Sequence, residues 1–161
     1  MLLLLAKQIS IMSLIFGAVL GAISIIPYIG LISFLICFFA LGATIISYAK
    51  YIELVGELEP KNWAIYGSIS GFIGFIGFSI TFIPIASLIG FICKYFNIIS
   101  YHTSILNMFK SGLFLMIFSV IFIGIMSGLM NGFSAMCTAY ITNFINEQKS
   151  QQHNINSKGQ F

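Results

Sequence analysis

Three stretches of the chain repeat one pattern: a glycine-bearing apolar run, a turn, a second apolar run, then a tyrosine and a polar break. The first runs from Gly17 through Pro27-Tyr28-Ile29-Gly30 and closes at Ile45-Ile46-Ser47-Tyr48. The second runs from Gly71-Phe72-Ile73-Gly74 through Phe82-Ile83-Pro84 and closes at Ile98-Ile99-Ser100-Tyr101. Sliding Pro27 onto Pro84 also brings Gly17 onto Gly74, Ile23 onto Ile80, Leu31 onto Leu88, Ile32 onto Ile89 and Phe34 onto Phe91. A weaker third copy spans Gly112 to Ser127, a turn-like Asn131-Gly132, and Ala139-Tyr140. In so apolar a chain, such a repeat predicts stacked membrane hairpins.

The solvent follows from the charges. Of 161 residues, 59% are hydrophobic and 7% charged, where a soluble domain carries roughly 25% charged residues. A chain this short leaves about a third of its surface exposed, and water does not solvate a surface of this composition. The expected partner is the lipid bilayer. All seven cationic side chains are Lys and all four anionic ones are Glu. With no Arg there is no bidentate fork for phosphate, and with no basic stripe there is no nucleic-acid partner.

The fold expected is all-α, a polytopic membrane helix bundle. One transmembrane helical domain covers residues 1–146, and a disordered polar cytoplasmic tail covers 147–161. Lys7 follows the N-terminal leucines instead of preceding them, so the start reads as an uncleaved first helix and not as a secretory leader. A span takes about 20 apolar residues. Two are secure, at about 9–26 and 30–49, separated by the Pro27–Gly30 turn and followed by a polar loop with Glu53, Glu57 and Glu59. Trp63–Cys93 and Gly112–Ile145 are each long for one span and short for two. Four long spans therefore compete with six spans in three repeated hairpins, broken at Pro84 and near Ser127–Gly132. The six-span reading keeps every Lys except Lys94 on the N-terminal side, as the bias of cytoplasmic loops toward Lys predicts. It is the preferred reading, in the cytoplasmic (inner) membrane with both termini cytoplasmic.

Within six spans Lys94 falls near mid-membrane, where a charge costs at least ~2.5–3.5 kcal/mol. No Glu lies in a span to pair with it, so Ser87, Ser100 and Tyr101 are its candidate partners in an intramembrane polar site. Against this stands the plainer reading of a loop or snorkelling lysine. Small residues at helical spacing mark packing faces: Ser10, Ser13, Gly17, Gly21 and Ser24 in the first span, and Gly30, Ser33, Cys37, Ala40, Thr44 and Ser47 in the second. Gly67, Gly71 and Gly74 do the same in the third. Gly124, Gly128 and Gly132 make a glycine zipper if that segment is helical, which favours four spans and an oligomeric pore. Trp63, Tyr48, Tyr51, Tyr66, Tyr101 and Tyr140 are expected at headgroup level.

No set of residues for catalysis stands out. Cys37, Cys93 and Cys137 lie in apolar runs without ligand spacing, so no metal or cofactor is expected. No nucleophile–base pair or acidic cluster falls within the spans. The segment Gly17 to Tyr48, with its Pro27-Tyr28-Ile29-Gly30 turn, and Phe109-Lys110-Ser111-Gly112 before the next apolar run, resemble small bacterial and archaeal membrane proteins classed as domains of unknown function. That resemblance implies a multi-helix membrane fold and carries no activity or site residues. The function expected is non-enzymatic packing or assembly, with a possible homo-oligomer or membrane-protein partner. The alternative is a small transporter or channel that uses the hairpin interfaces and Lys94.

Overall fold

The structure is a computed structural model that describes residues 2–26, 28–51, 59–95 and 113–158. Among them the regular elements are all helical: α1 (Leu2–Ile23), α2 (Ile29–Leu35), α3 (Leu41–Tyr51), α4 (Pro60–Tyr95) and α5 (Leu113–Lys158). A π-helical turn, Ile36–Ala40, joins α2 to α3 without a break, so Ile29–Tyr51 is one rod. Four helices are long and apolar enough to cross a membrane. That is compatible with a multi-pass integral membrane protein and with four long spans. In a bilayer core every backbone N–H and C=O must find a partner inside the protein, which leaves helices as the economical solution for such runs.

The breaks expected at Pro84 and Ser127–Gly132 are not in the structure. Pro84 sits inside α4, and the Asn131-Gly132 pair sits inside α5. Proline removes one helical hydrogen bond, yet in an apolar medium opening the helix into a turn would leave several more groups unpaired. Helix is therefore the cheaper conformation around Pro84. At Asn131 the side chain finds partners within the bundle, so nothing draws it to a surface turn. The third copy of the repeat consequently forms no hairpin of its own. The helix α5 also runs on past Asn146 to Lys158, through the stretch expected to be disordered. Extending an existing helix escapes the nucleation cost, and no Gly or Pro interrupts the chain until Gly159.

The turn between α1 and α2 falls where the Pro27–Gly30 signal places it. Gly30 N–H donates to Ile26 C=O at 2.8 Å. A side chain at Gly30 would run into the Ser24 carbonyl. Tyr28 is the one non-glycine residue with positive φ (69°) among the described residues.

Contacts fix the packing. Ser13 meets Ser70, Gly17 meets Gly74, and Gly21 meets Phe78 and Thr81. Both members of each pair advance together, so α1 and α4 run parallel. Gly67 faces Ala135 and Gly71 faces Asn131, so α4 and α5 are antiparallel. Cys37 meets Ser127 and Gly42 meets Asn131, so the Ile29–Tyr51 rod and α5 are parallel. The result is an up-down-up-down bundle with α4 against α1, α3 and α5.

The core joins Ile9, Cys37, Leu41, Ile46, Trp63, Tyr66, Phe75, Phe78, Ala135 and Ala139. Toward the turn end, Phe34, Phe75, Phe78 and Phe82 form a run of stacked and edge-on rings with centroids 5.4 to 6.4 Å apart, a favourable geometry for aromatic pairs. Trp63 and Tyr66 are buried in this core, whereas Tyr48, Tyr51 and Tyr140 are exposed. Tyr101 lies outside the described residues.

Candidate functional site: a buried amide in a helix discontinuity

The polar centre of the bundle is Asn131, with no exposed surface at all. It sits opposite the π turn, and hydrogen-bond accounting explains why. In an α-helix Leu41 N–H would donate to Cys37 C=O, and Gly42 N–H to Phe38 C=O. Here Leu41 N–H reaches back one residue further, to Ile36 C=O. Cys37 C=O loses its regular partner, and Gly42 N–H is drawn to a side chain of another helix.

The Asn131 side chain replaces what is missing. Gly42 N–H donates to Asn131 Oδ1 at 2.7 Å. Asn131 Nδ2 donates toward Phe38 C=O at 2.9 Å and Cys37 C=O at 3.0 Å. Its own helix offers Ser127 C=O at 2.9 Å, so two hydrogens are shared among three carbonyls. The orientation of the amide is fixed by this set, because only oxygen accepts from Gly42 N–H and only nitrogen donates to the carbonyls. One carboxamide is thus spliced into a neighbouring helix in place of a peptide bond's donor and acceptor. Ser127 Oγ adds long contacts to Gly71 C=O at 3.3 Å and Cys37 C=O at 3.4 Å.

Glycines make the room. A Cβ at Gly71 would lie 2.6 Å from Asn131 Nδ2, one at Gly67 2.8 Å from Asn131 C=O, and one at Gly42 3.0 Å from Asn131 Cβ. The first two are closer than a Cβ comes to other atoms and the third is tight, so bare glycines let Asn131, backbone and amide together, lie against α4 and α3. Among the described residues, no buried side-chain N or O lacks a hydrogen-bond partner.

A second polar contact ties α1 to α4. Ser13 and Ser70 hydroxyls are 2.7 Å apart and both are fully buried. Ser13 also donates to Ile9 C=O at 2.7 Å, so Ser70 is the donor between the two. The pair is separated by 57 positions, the shift that lays Pro27 onto Pro84. Gly17 and Gly74 share that separation, and a side chain on Gly17 would enter the Gly74 carbonyl. Positions equivalent in the repeat therefore pack against each other. Thr81 Oγ1 donates across the same interface to Ala18 C=O at 2.9 Å.

Gly17, Gly21, Gly67, Gly71 and Gly74 all face a neighbouring helix, and Ser33 and Cys37 are buried. The second-span stripe does not continue as expected. Thr44 and Ser47 are exposed, while Leu41, Gly42, Ile45, Ile46 and Ala49 are buried. The π turn holds one residue more than an α-helical path, and this rotates the buried face. Gly124, Gly128 and Gly132 face Phe72 and Ser68 of α4, so the zipper is used within the chain.

Lys94 is the penultimate residue of α4, at the end of a helix about 54 Å long and not at its centre. Its side chain lies outside the described residues, as do Ser100 and Tyr101. Ser87 donates to Ile83 C=O at 2.6 Å within its own helix. The polar site thus forms around Asn131, which sequence reading assigns to a turn. The signal for it was an Asn four residues after Ser127 in an otherwise apolar run, flanked by Gly128 and Gly132. Among the described residues, no group of His, Cys, Asp and Glu could hold a metal ion. The chain matches no protein family, no curated protein and no solved structure.

Proposed function

We propose that the chain is a non-enzymatic integral membrane protein of the cytoplasmic membrane, with both termini cytoplasmic, whose role is to pack and assemble with membrane partners. One observation carries this reading: the bundle is apolar outside and keeps its bonded polar side chains inside. Leu129, Phe133, Ile141 and Phe144 of α5 and Ile80, Leu88 and Phe91 of α4 are all exposed. Ser13, Ser70, Ser127 and Asn131 are fully buried and bonded to one another or to backbone. A surface of that kind suits lipid or the apolar face of another membrane protein. Orientation rests on Lys7, Lys50 and Lys61, which lie at one end of α1, α3 and α4, as cytoplasmic ends do. The partner is another membrane protein or a second copy, and nucleic acid has no place in this reading.

The test is size and flux together. The protein is purified in detergent, its mass determined by light scattering, and the same preparation placed in liposomes for ion and solute flux. Assembly without flux supports the proposal. A second reading, a small transporter or channel, is favoured by one feature, the helix discontinuity beside a polar residue at the junction of α3, α4 and α5. On that reading Asn131 and Ser127, ahead of Lys94, supply the polar element between the hairpins. Flux abolished by Ser127→Ala in a protein that still folds would establish it in place of the first.

A further inference from the structure

The π turn divides the Ile29–Tyr51 rod into two unequal halves. On one side, α3 buries Leu41, Gly42, Ala43, Ile45, Ile46 and Ala49 against the bundle. On the other, α2 buries only Ser33. Leu31 is 68% exposed and Ile32 57%. Little more than Ser33 and the edge of the Phe34 ring, against Phe75 and Phe78, holds α2 toward α4.

Both ends of α2 are irregular. Before it stands Tyr28 with φ of 69°, a conformation that L residues other than Asn, Asp and His rarely adopt. After it comes the π turn, whose unpaired groups are met by a side chain from another helix. An element that packs on its own hairpin partner α1, touches α4 only lightly and is joined at both ends through non-standard backbone is what a hinged segment requires.

We infer that α2 is a hinged half-helix and that Asn131 is the latch that holds its hinge. With the amide inserted, the π turn is satisfied and the Phe34 ring is seated. With the amide withdrawn, Leu41 N–H can return to Cys37 C=O and Gly42 N–H to Phe38 C=O. The turn then becomes α-helical. That exchange moves α2 relative to α3 by one residue, about 100° and 1.5 Å, and lifts Phe34 from Phe75 and Phe78. The device works on the end of the bundle opposite Lys7, Lys50 and Lys61, and it stands whether or not the chain carries a solute.

Two measurements on the full chain test it. The first uses spin labels, in a variant without native cysteines, at Leu31 and Leu88 across the hinged end and at Tyr48 and Tyr140 on the packed end. All four positions are exposed. The 31–88 distance distribution is expected to be at least twice as broad as the 48–140 distribution, or to have two peaks. Equal narrow widths would overturn the inference. The second deletes Phe39, which makes Leu41 N–H to Ile36 C=O an ordinary α-helical bond and removes the need for Asn131. Asn131→Leu is expected to lower folded yield at least fivefold in the full-length chain and less than twofold in the deletion background. It should also leave the 31–88 distance in that background with one narrow peak. An equal loss in both backgrounds, including failure of both to fold, would remove Asn131 as the latch.

Discussion

The bundle contains two parallel helix pairs that solve one problem differently. In α1 against α4 the backbones meet over absent side chains, with Gly17 on Gly74 and a single Ser13–Ser70 hydroxyl bridge. In the Ile29–Tyr51 rod against α5, close approach is joined to a polar splice. Asn131 there completes the hydrogen bonding of a helix it does not belong to. The first pair gains from dispersion and close packing, so its stability is spread over many atoms. The second concentrates its specificity in one amide, whose loss orphans backbone groups as well as contacts. A bundle can adjust a spread interface by small shifts, whereas a spliced helix without its splice must either leave groups unpaired or change its register.

The largest expected effect strikes the splice. Asn131→Leu takes the amide from Gly42 N–H and from the Phe38 and Cys37 carbonyls. These groups then either stay unpaired, at about 1–3 kcal/mol each, or re-pair in an α-helical turn that lifts Phe34 from Phe75 and Phe78, so the loss should be about 3 kcal/mol. Unfolding of the detergent-solubilised protein by a denaturing detergent, followed by circular dichroism, measures it. A loss under about 1 kcal/mol would mean that the π turn needs no external partner.

Next comes the spread interface. Gly17→Leu places a side chain into the Gly74 backbone and should cost about 2–3 kcal/mol as the helices separate. Val19→Leu, two residues along on a half-exposed position, should cost nearly nothing. The same unfolding assay compares them, and equal losses for the two would show that α1 does not meet α4 through its glycine face.

A smaller effect is expected from the hydroxyl pair. Ser13→Ala and Ser70→Ala should each cost about 1 kcal/mol or less, with a coupling of about 0.6 kcal/mol between them, the size typical of hydrogen bonds between membrane helices. A double-mutant cycle gives the coupling. A value of zero would make the bridge incidental to glycine packing.

Much of the bundle was legible in the residues. The two N-terminal spans, the Pro27–Gly30 turn and the small-residue faces follow from hydropathy, turn chemistry and helical spacing. The repeat carried more than its reading drew from it: the alignment of Gly17 on Gly74 foreshadows their contact, because equivalent faces of two parallel helices mate. Other features escaped for definite physical reasons. Spacing rules assume 3.6 residues per turn throughout, so the π turn at Ile36–Ala40 was invisible, and the stripe through Thr44 and Ser47 was placed on the wrong side of α3. Pro84 and Asn131-Gly132 carry turn signals calibrated on water-exposed chain. In an apolar medium the helix persists through both. Asn131 was read by its propensity for turns, when its isolation in an apolar run was the more telling fact. For Lys94 the sequence offered a mid-span position only if α4 broke at Pro84; the unbroken helix puts it one residue from the C-terminal end.

The central claim is that α5 crosses without a break and carries Asn131 inside the bundle. Its most direct test is aqueous thiol labelling at Leu129, two residues from Asn131 and 61% exposed on the bundle surface. The position is replaced by Cys in a variant without other cysteines, with Tyr28→Cys in the 92% exposed turn as the reference. If α5 is continuous, position 129 faces lipid. A membrane-impermeant maleimide then labels position 28 from outside intact cells and leaves 129 unlabelled, before and after permeabilisation. Labelling of position 129 from outside as fast as position 28 would place a surface turn at Ser127–Gly132 and contradict the account.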